Sequence, residues 1–174
     1  LLFAAYGNRI SHIRNFGFAI LTAEAIEQLR KYAPFVEIGA GTGYWTYELN
    51  KAGIDSIATD PYPQGRNVYP FKVTKPYVSL LPWDGVKAAK ACAGKRTLLS
   101  VWPCYAESWA YDALKAYTGD TVVYVGEGHG GCTADDDFHE ELDTKWDEID
   151  SISIPQFDGI HDSISVYRRR KIQD

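Results

Sequence analysis

Three glycines at alternate positions, Gly39, Gly41 and Gly43, follow the apolar segment Val36-Glu37-Ile38 and lead straight into a helical pattern at Tyr44-Trp45. Glycine lacks a Cβ, so it turns the chain sharply and lets a ligand approach the main chain. A strand, a tight turn and a helix N-terminus in succession make a nucleotide-sized cradle in α/β proteins. The dinucleotide fingerprint G-x-G-x-x-G has its third glycine one place later, where this chain has Tyr44. A pyrophosphate is therefore a poor match, and Glu37 stands two residues ahead of the first glycine. Residues 54–60 read as the next strand and end in Asp60, 17 residues past Gly43. In nucleotide-binding α/β folds an acid about 20 residues beyond the glycines takes the ribose hydroxyls. The plain alternative is that Asp60 opens a turn before Pro61.

The 174 residues suffice for one α/β domain with a proper core, so residues 1–174 are read as a single domain. Net charge is −5, whereas a duplex-binding protein needs a basic face. Arg168-Arg169-Arg170-Lys171 reads as a solvated tail, and nucleic acid is disfavoured as a partner. Cys92, Cys104 and Cys132 are odd in number, and no C-x-x-C or H-E-x-x-H pattern occurs. A reducing cytoplasm and no metal are expected. No apolar run approaches membrane-span length, so no membrane partner is expected. Methionine is absent throughout, and the natural start is expected upstream of Leu1.

Along the chain, residues 1–20 alternate aromatic and basic side chains (Tyr6, Arg9, His12, Arg14, Phe16, Phe18), and Gly17 interrupts any helix. They form an arm that packs on the sheet or lies over a site. Thr22 caps a helix buried through Ile26 and Leu29, and Pro34 stops it. Trp45, Leu49 and Ala52 share a helix face closed by Gly53. Residues 61–82 hold five prolines, and only 77–81 look like a strand, at an edge. The remainder is a loop, either a lid or substrate wall or a mere connection. Residues 97–101 form an apolar central strand leaving through Trp102-Pro103-Cys104-Tyr105. Residues 121–125 form another, opening into Gly126-Glu127-Gly128-His129-Gly130-Gly131-Cys132. So permissive a loop at a strand end makes Glu127 and His129 candidates for a general base or substrate anchor. Residues 149–154 and 163–167 close the chain as a hairpin.

The run from Glu37 to Gly43 resembles the first motif of class I S-adenosylmethionine-dependent methyltransferases. W-P-C-Y and G-E-G-H-G-G-C resemble the same positions in a group of small methyltransferase-like proteins. The resemblance covers residues 19–168. It implies a Rossmann-like domain with a mostly parallel seven-stranded sheet, a C-terminal antiparallel hairpin, helices on both faces and an irregular connection between the second and third strands. It implies S-adenosylmethionine as cofactor and a small, planar acceptor. Glu37, Gly39, Ala40, Gly41 and Gly43 would hold the cofactor and Asp60 its sugar. Trp83 would cover the adenine ring and Asp84 accept its amine, although Asp84 equally suits a helix N-cap. Trp102 and Pro103 would complete that side, and the arm would lie above it. Trp102 stands where the D-P-P-Y motif of amino-group methyltransferases has an acid or amide that accepts the target amine, so nucleobase amines are disfavoured. Tyr105 keeps its place, able to stack or hydrogen-bond, and Tyr62 or Tyr69 would add a wall. If the acceptor must lose a proton, Glu127, His129 or His161 would take it, His161 because the hairpin turn lies on the same edge. A non-catalytic binding module, and an enzyme that cleaves the cofactor or transfers another group, are the alternatives.

Overall fold

The computed structural model describes all residues except 1, 63–66, 69–70, 73–74, 93 and 172–174. In chain order the elements are α1 (Leu2–Asn15), α2 (Ala23–Leu29) with a 3-10 turn (Arg30–Tyr32), β1 (Phe35–Ile38), α3 (Tyr44–Lys51), β2 (Ser56–Ala58), β3 (Asn67–Val68) and β4 (Phe71–Lys72). There follow α4 (Gly85–Cys92), β5 (Thr97–Val101), α5 (Trp109–Ala116), β6 (Thr121–Gly126), α6 (Asp136–Lys145), β7 (Trp146–Ser153) and β8 (Ser163–Arg169). Among the described residues the main sheet has six strands, ordered β2-β1-β5-β6-β8-β7. The first four are parallel, and β8 and β7 join antiparallel. The apolar runs of β1, β5 and β6 are buried on both faces, as parallel strands between helical layers must be. Val36, Ile38, Leu98 and Val122 face α4, α5 and α6 through Ala88, Ala113 and Leu142. Phe35, Leu99 and Val123 face α2 and α3 through Leu29, Trp45 and Leu49.

Among the described residues the sheet has six strands where seven were expected. Of residues 77–81, only Leu81 reaches the sheet, in a single parallel bridge to Thr59. Leu81 donates to the Ala58 carbonyl and accepts from Asp60, both at 3.0 Å. Four residues earlier the Tyr77 N–H has gone to the Thr42 carbonyl instead (2.8 Å), which draws the chain toward the glycine turn, and Pro82 has no N–H with which to continue the ladder.

The arm is more regular than its glycine suggests. Helix α1 runs to Asn15 and stops just short of Gly17, whose φ of 118° is open only to glycine. Thr22 caps α2 through the Ala25 N–H, and Asp135 caps α6 through the Phe138 N–H. Among the described residues no helix is long and apolar enough to cross a membrane.

Candidate functional site

From β1 the chain moves outward to β2, then returns across to β5 on the other side of β1. In open α/β sheets ligands bind outside the carboxyl ends of the strands at such a reversal. Residues 39–43 stand there, with φ of 60° at Gly39, 56° at Gly41 and 70° at Gly43. The outer glycines are closed in by the protein itself. A Cβ on Gly39 would lie 2.6 Å from the Trp109 ring, and one on Gly43 would lie 2.9 Å from Val78. At Gly41 a Cβ would meet nothing within 4 Å. Beside that opening, Asp60 Oδ2 accepts from the Gly41 N–H at 3.0 Å and Oδ1 from the Tyr62 N–H at 2.8 Å. Each oxygen retains a lone pair for another donor. An exposed main chain next to a half-buried carboxylate fits the sugar end of a nucleoside.

Glu37 is placed differently. It is 2% exposed, and its Oε2 accepts from both the N–H (3.1 Å) and the hydroxyl (2.6 Å) of Thr46, which also touches Ser56 Oγ at 2.9 Å. Burial pushes the carboxyl up to about 7; the Thr46 bonds oppose this and the charge on Asp60 adds to it. Glu37 thus ties the end of β1 to the first turn of α3 from inside the glycine turn. Asp84 is exposed and accepts from the Lys87 N–H at 2.8 Å, which makes it the cap of α4. Lys87 also lies 5.3 Å over the half-buried ring of Trp83. Tyr62 is half exposed, and Tyr69 lies outside the described residues.

On the far side of the crevice, Trp102 holds a φ of 53°, which costs a tryptophan of order 1–3 kcal/mol. Several contacts hold it there. Its indole N–H donates to Asp162 Oδ1 at 2.7 Å, Phe18 stacks on it at 4.7 Å and 8°, and the Arg9 guanidinium lies 5.4 Å from its ring centre. Asp162 is 1% exposed; burial pushes its carboxyl up to about 6 against the bond from Trp102. The buried Pro103 already uses its carbonyl to accept from Ala134 at 3.0 Å. Trp102 therefore has no side-chain acceptor for an amine, and one lone pair of the Pro103 carbonyl is already used. Tyr105 is 68% exposed.

Glu127 is only 5% exposed and acts as a clasp. Its Oε2 accepts from the Cys132 N–H at 2.6 Å and its Oε1 from the His161 N–H at 2.9 Å, joining the glycine-rich loop to the loop before β8. Burial alone would raise its carboxyl, but the bonds from Cys132 and His161 together outweigh it and hold the group below the usual range. A carboxylate so held is a weaker base. The His161 imidazole remains accessible, with Nδ1 3.5 Å from Glu127 Oε1.

The structure brings Trp102, Glu127 and His161 together. It places His129 apart, stacked on His139 at 5.5 Å and lying 3.7 and 3.8 Å from Asp136 and Asp143 of α6. Trp109 and Asp162 join the site without having been singled out in the sequence, while Arg9 and Phe18 enter it as members of the arm. Asp162 directly follows His161, but its bond to Trp102 spans 60 residues and has no local signature. Among the described residues no group of three or more His, Cys, Asp or Glu is placed to hold a metal ion.

No protein-family model matches the chain, and no curated protein matches it in sequence. Among solved structures, the chain is similar to magnesium protoporphyrin IX methyltransferase from Synechocystis PCC 6803, determined with bound S-adenosylmethionine. The match has 11% sequence identity and a TM-score of 0.48, and it covers 97% of this chain and 82% of that one.

Proposed function

We propose that this chain is an S-adenosylmethionine-dependent methyltransferase acting on a small, planar acceptor in the cytoplasm. The observation that carries this reading is the opening at Gly41. It lies at the reversal of strand order, is held by a carboxylate suited to a sugar, and is flanked by glycines that could not be anything larger. The cofactor supplies a methyl group already activated by its sulfonium. What remains for the protein is alignment and the exclusion of water. Asp60 takes the sugar hydroxyls and Trp83 covers the adenine. Trp102 and Tyr105 wall the acceptor. The arm, tied down by the bond from Thr42 Oγ1 to the Phe16 carbonyl at 3.0 Å, lies across the glycine turn. Where the acceptor must lose a proton, the accessible imidazole of His161 receives it, steadied by the Glu127 carboxylate.

Incubating the protein with methyl-labelled cofactor and a cell extract tests this directly. Label on a small aromatic acceptor, with S-adenosylhomocysteine as co-product, is the expected outcome. Methylthioadenosine in its place would replace methyl transfer with cleavage of the cofactor or transfer of another group. One observation favours a second reading, a module that binds the cofactor without turnover. The Trp102 side chain supplies no acceptor, and the Pro103 carbonyl already takes the Ala134 N–H. Saturable binding with no labelled product from any extract would decide for it.

A further inference from the structure

Helix α1 carries Arg9, His12 and Ile13 at helical spacing, with Ile13 buried, and Phe16 follows in the turn just past its end. Phe16 packs on Tyr44 beside the glycine turn (4.9 Å), and His12 packs on Phe157 in the loop before β8 (5.3 Å). Arg9 therefore stands between the two halves of the crevice, over Trp102. Its Nε is buried and has no hydrogen-bond partner among the described residues. A buried, unpaired N–H on a charged group is costly and calls for a partner, which a water, an ion or a ligand supplies. The nearby carboxylate, Asp162, attracts the guanidinium by charge, but its Oδ1 is engaged by the Trp102 indole and no hydrogen bond from Arg9 Nε reaches it. The other acid assigned to this end, Glu37, is sealed beneath the turn and bonded to Thr46. The amino acid end of a nucleoside sulfonium carries one carboxylate, and a guanidinium is the side chain whose fork matches it.

We propose that Arg9 holds the α-carboxylate of the bound cofactor, so that the arm is part of the cofactor site. This rests on the reading of the chain as an S-adenosylmethionine-binding protein. Binding of the ligand completes the orphaned donor and fixes α1 across the crevice. Loss of the carboxylate from the ligand, or of the guanidinium from the protein, removes the same interaction. The two losses are therefore not additive.

The test is a calorimetric cycle with S-adenosylmethionine and its decarboxylated analogue, using wild type, Arg9→Gln and Arg9→Lys. Wild type is expected to prefer the carboxylated ligand by roughly 10–100-fold, the range of one charge-assisted contact. Arg9→Gln is expected to bind both alike, and Arg9→Lys to recover part of the preference. A preference that survives in Arg9→Gln, or its absence in wild type, would overturn the assignment while leaving the cofactor reading intact. If wild type binds neither ligand, both fall together. Because each variant is its own reference, a general loss of stability cannot imitate the result.

Discussion

Glu37 and Glu127 occupy comparable places, each at the carboxyl end of a parallel strand and each almost wholly buried, yet they ionise in opposite senses. Glu37 receives both its bonds on one oxygen from one residue, with Asp60 adding like charge, and burial prevails. Glu127 receives backbone N–H groups on both oxygens from two different loops, with an imidazole beside it, and the bonds prevail. A buried carboxylate stays charged where main-chain donors surround it and is driven toward neutrality where they do not. Glu37, beneath the glycine turn, is therefore driven toward its neutral form, and Glu127 on the opposite side keeps a negative charge that pins two loops.

Several measurements would break or sharpen this contrast. The largest effect is expected from Glu127→Ala, which leaves two N–H groups without their acceptor. About 3 kcal/mol of stability should be lost, lowering Tm by roughly 6–12 °C in thermal unfolding. A drop no larger than that of an ordinary surface substitution would refute the clasp. Stability against pH separates the two acids by sign. The folded pKa of Glu37 is raised, so the folded state binds the extra proton, and Glu37 disfavours folding increasingly as pH rises from 4.5 toward about 7. Relative to Glu37→Gln, wild type should lose on the order of 3 kcal/mol across that interval in denaturant titrations. Glu127 works the other way. Its pKa is lowered, so its contribution is complete above its ordinary value of 4.5 and is lost as pH falls below it. Glu127→Gln should accordingly flatten the acid limb only.

Trp102→Phe retains the ring and removes the donor to Asp162. We expect a loss of about 2 kcal/mol near neutral pH, smaller in acid where Asp162 is protonated, as read by chemical unfolding at two pH values. The smallest effect belongs to Asp84, which separates a cap from an adenine contact. Asp84→Ala should cost about 1 kcal/mol and Asp84→Ser almost none, with cofactor affinity unchanged in both. An affinity loss in the serine variant would return Asp84 to the adenine site.

How far the site could be read from the sequence follows the range of its interactions. The glycine turn and the place of Asp60 beside it were legible because the relevant contacts are local in chain or in strand order: Gly41 meets Asp60 across two adjacent strands. The closing hairpin was legible from its two apolar runs. The missing third strand was not, because it turned on whether the Tyr77 N–H would prefer the Thr42 carbonyl to a ladder partner. The inward turn of Glu37 was hidden as well. Its spacing suits either a ligand or Thr46, and only the packing of α3 decides. Arg9 and Asp162 meet at Trp102 from opposite ends of the chain, and no periodicity announces a meeting of that kind.

The central claim is that the main chain at Gly41 lies against a bound cofactor, and paired substitutions test it most directly. Gly41 and Gly53 have similar positive φ (56° and 75°) and equally open surroundings, but Gly53 lies at the far end of α3. Valine at either position imposes the same backbone strain, and only Gly41→Val also fills the space above the turn. Titrating S-adenosylmethionine into both variants and wild type, each shown to be folded, should give binding to wild type and Gly53→Val and none to Gly41→Val. Equal binding by the two variants, or none by wild type, would contradict the account.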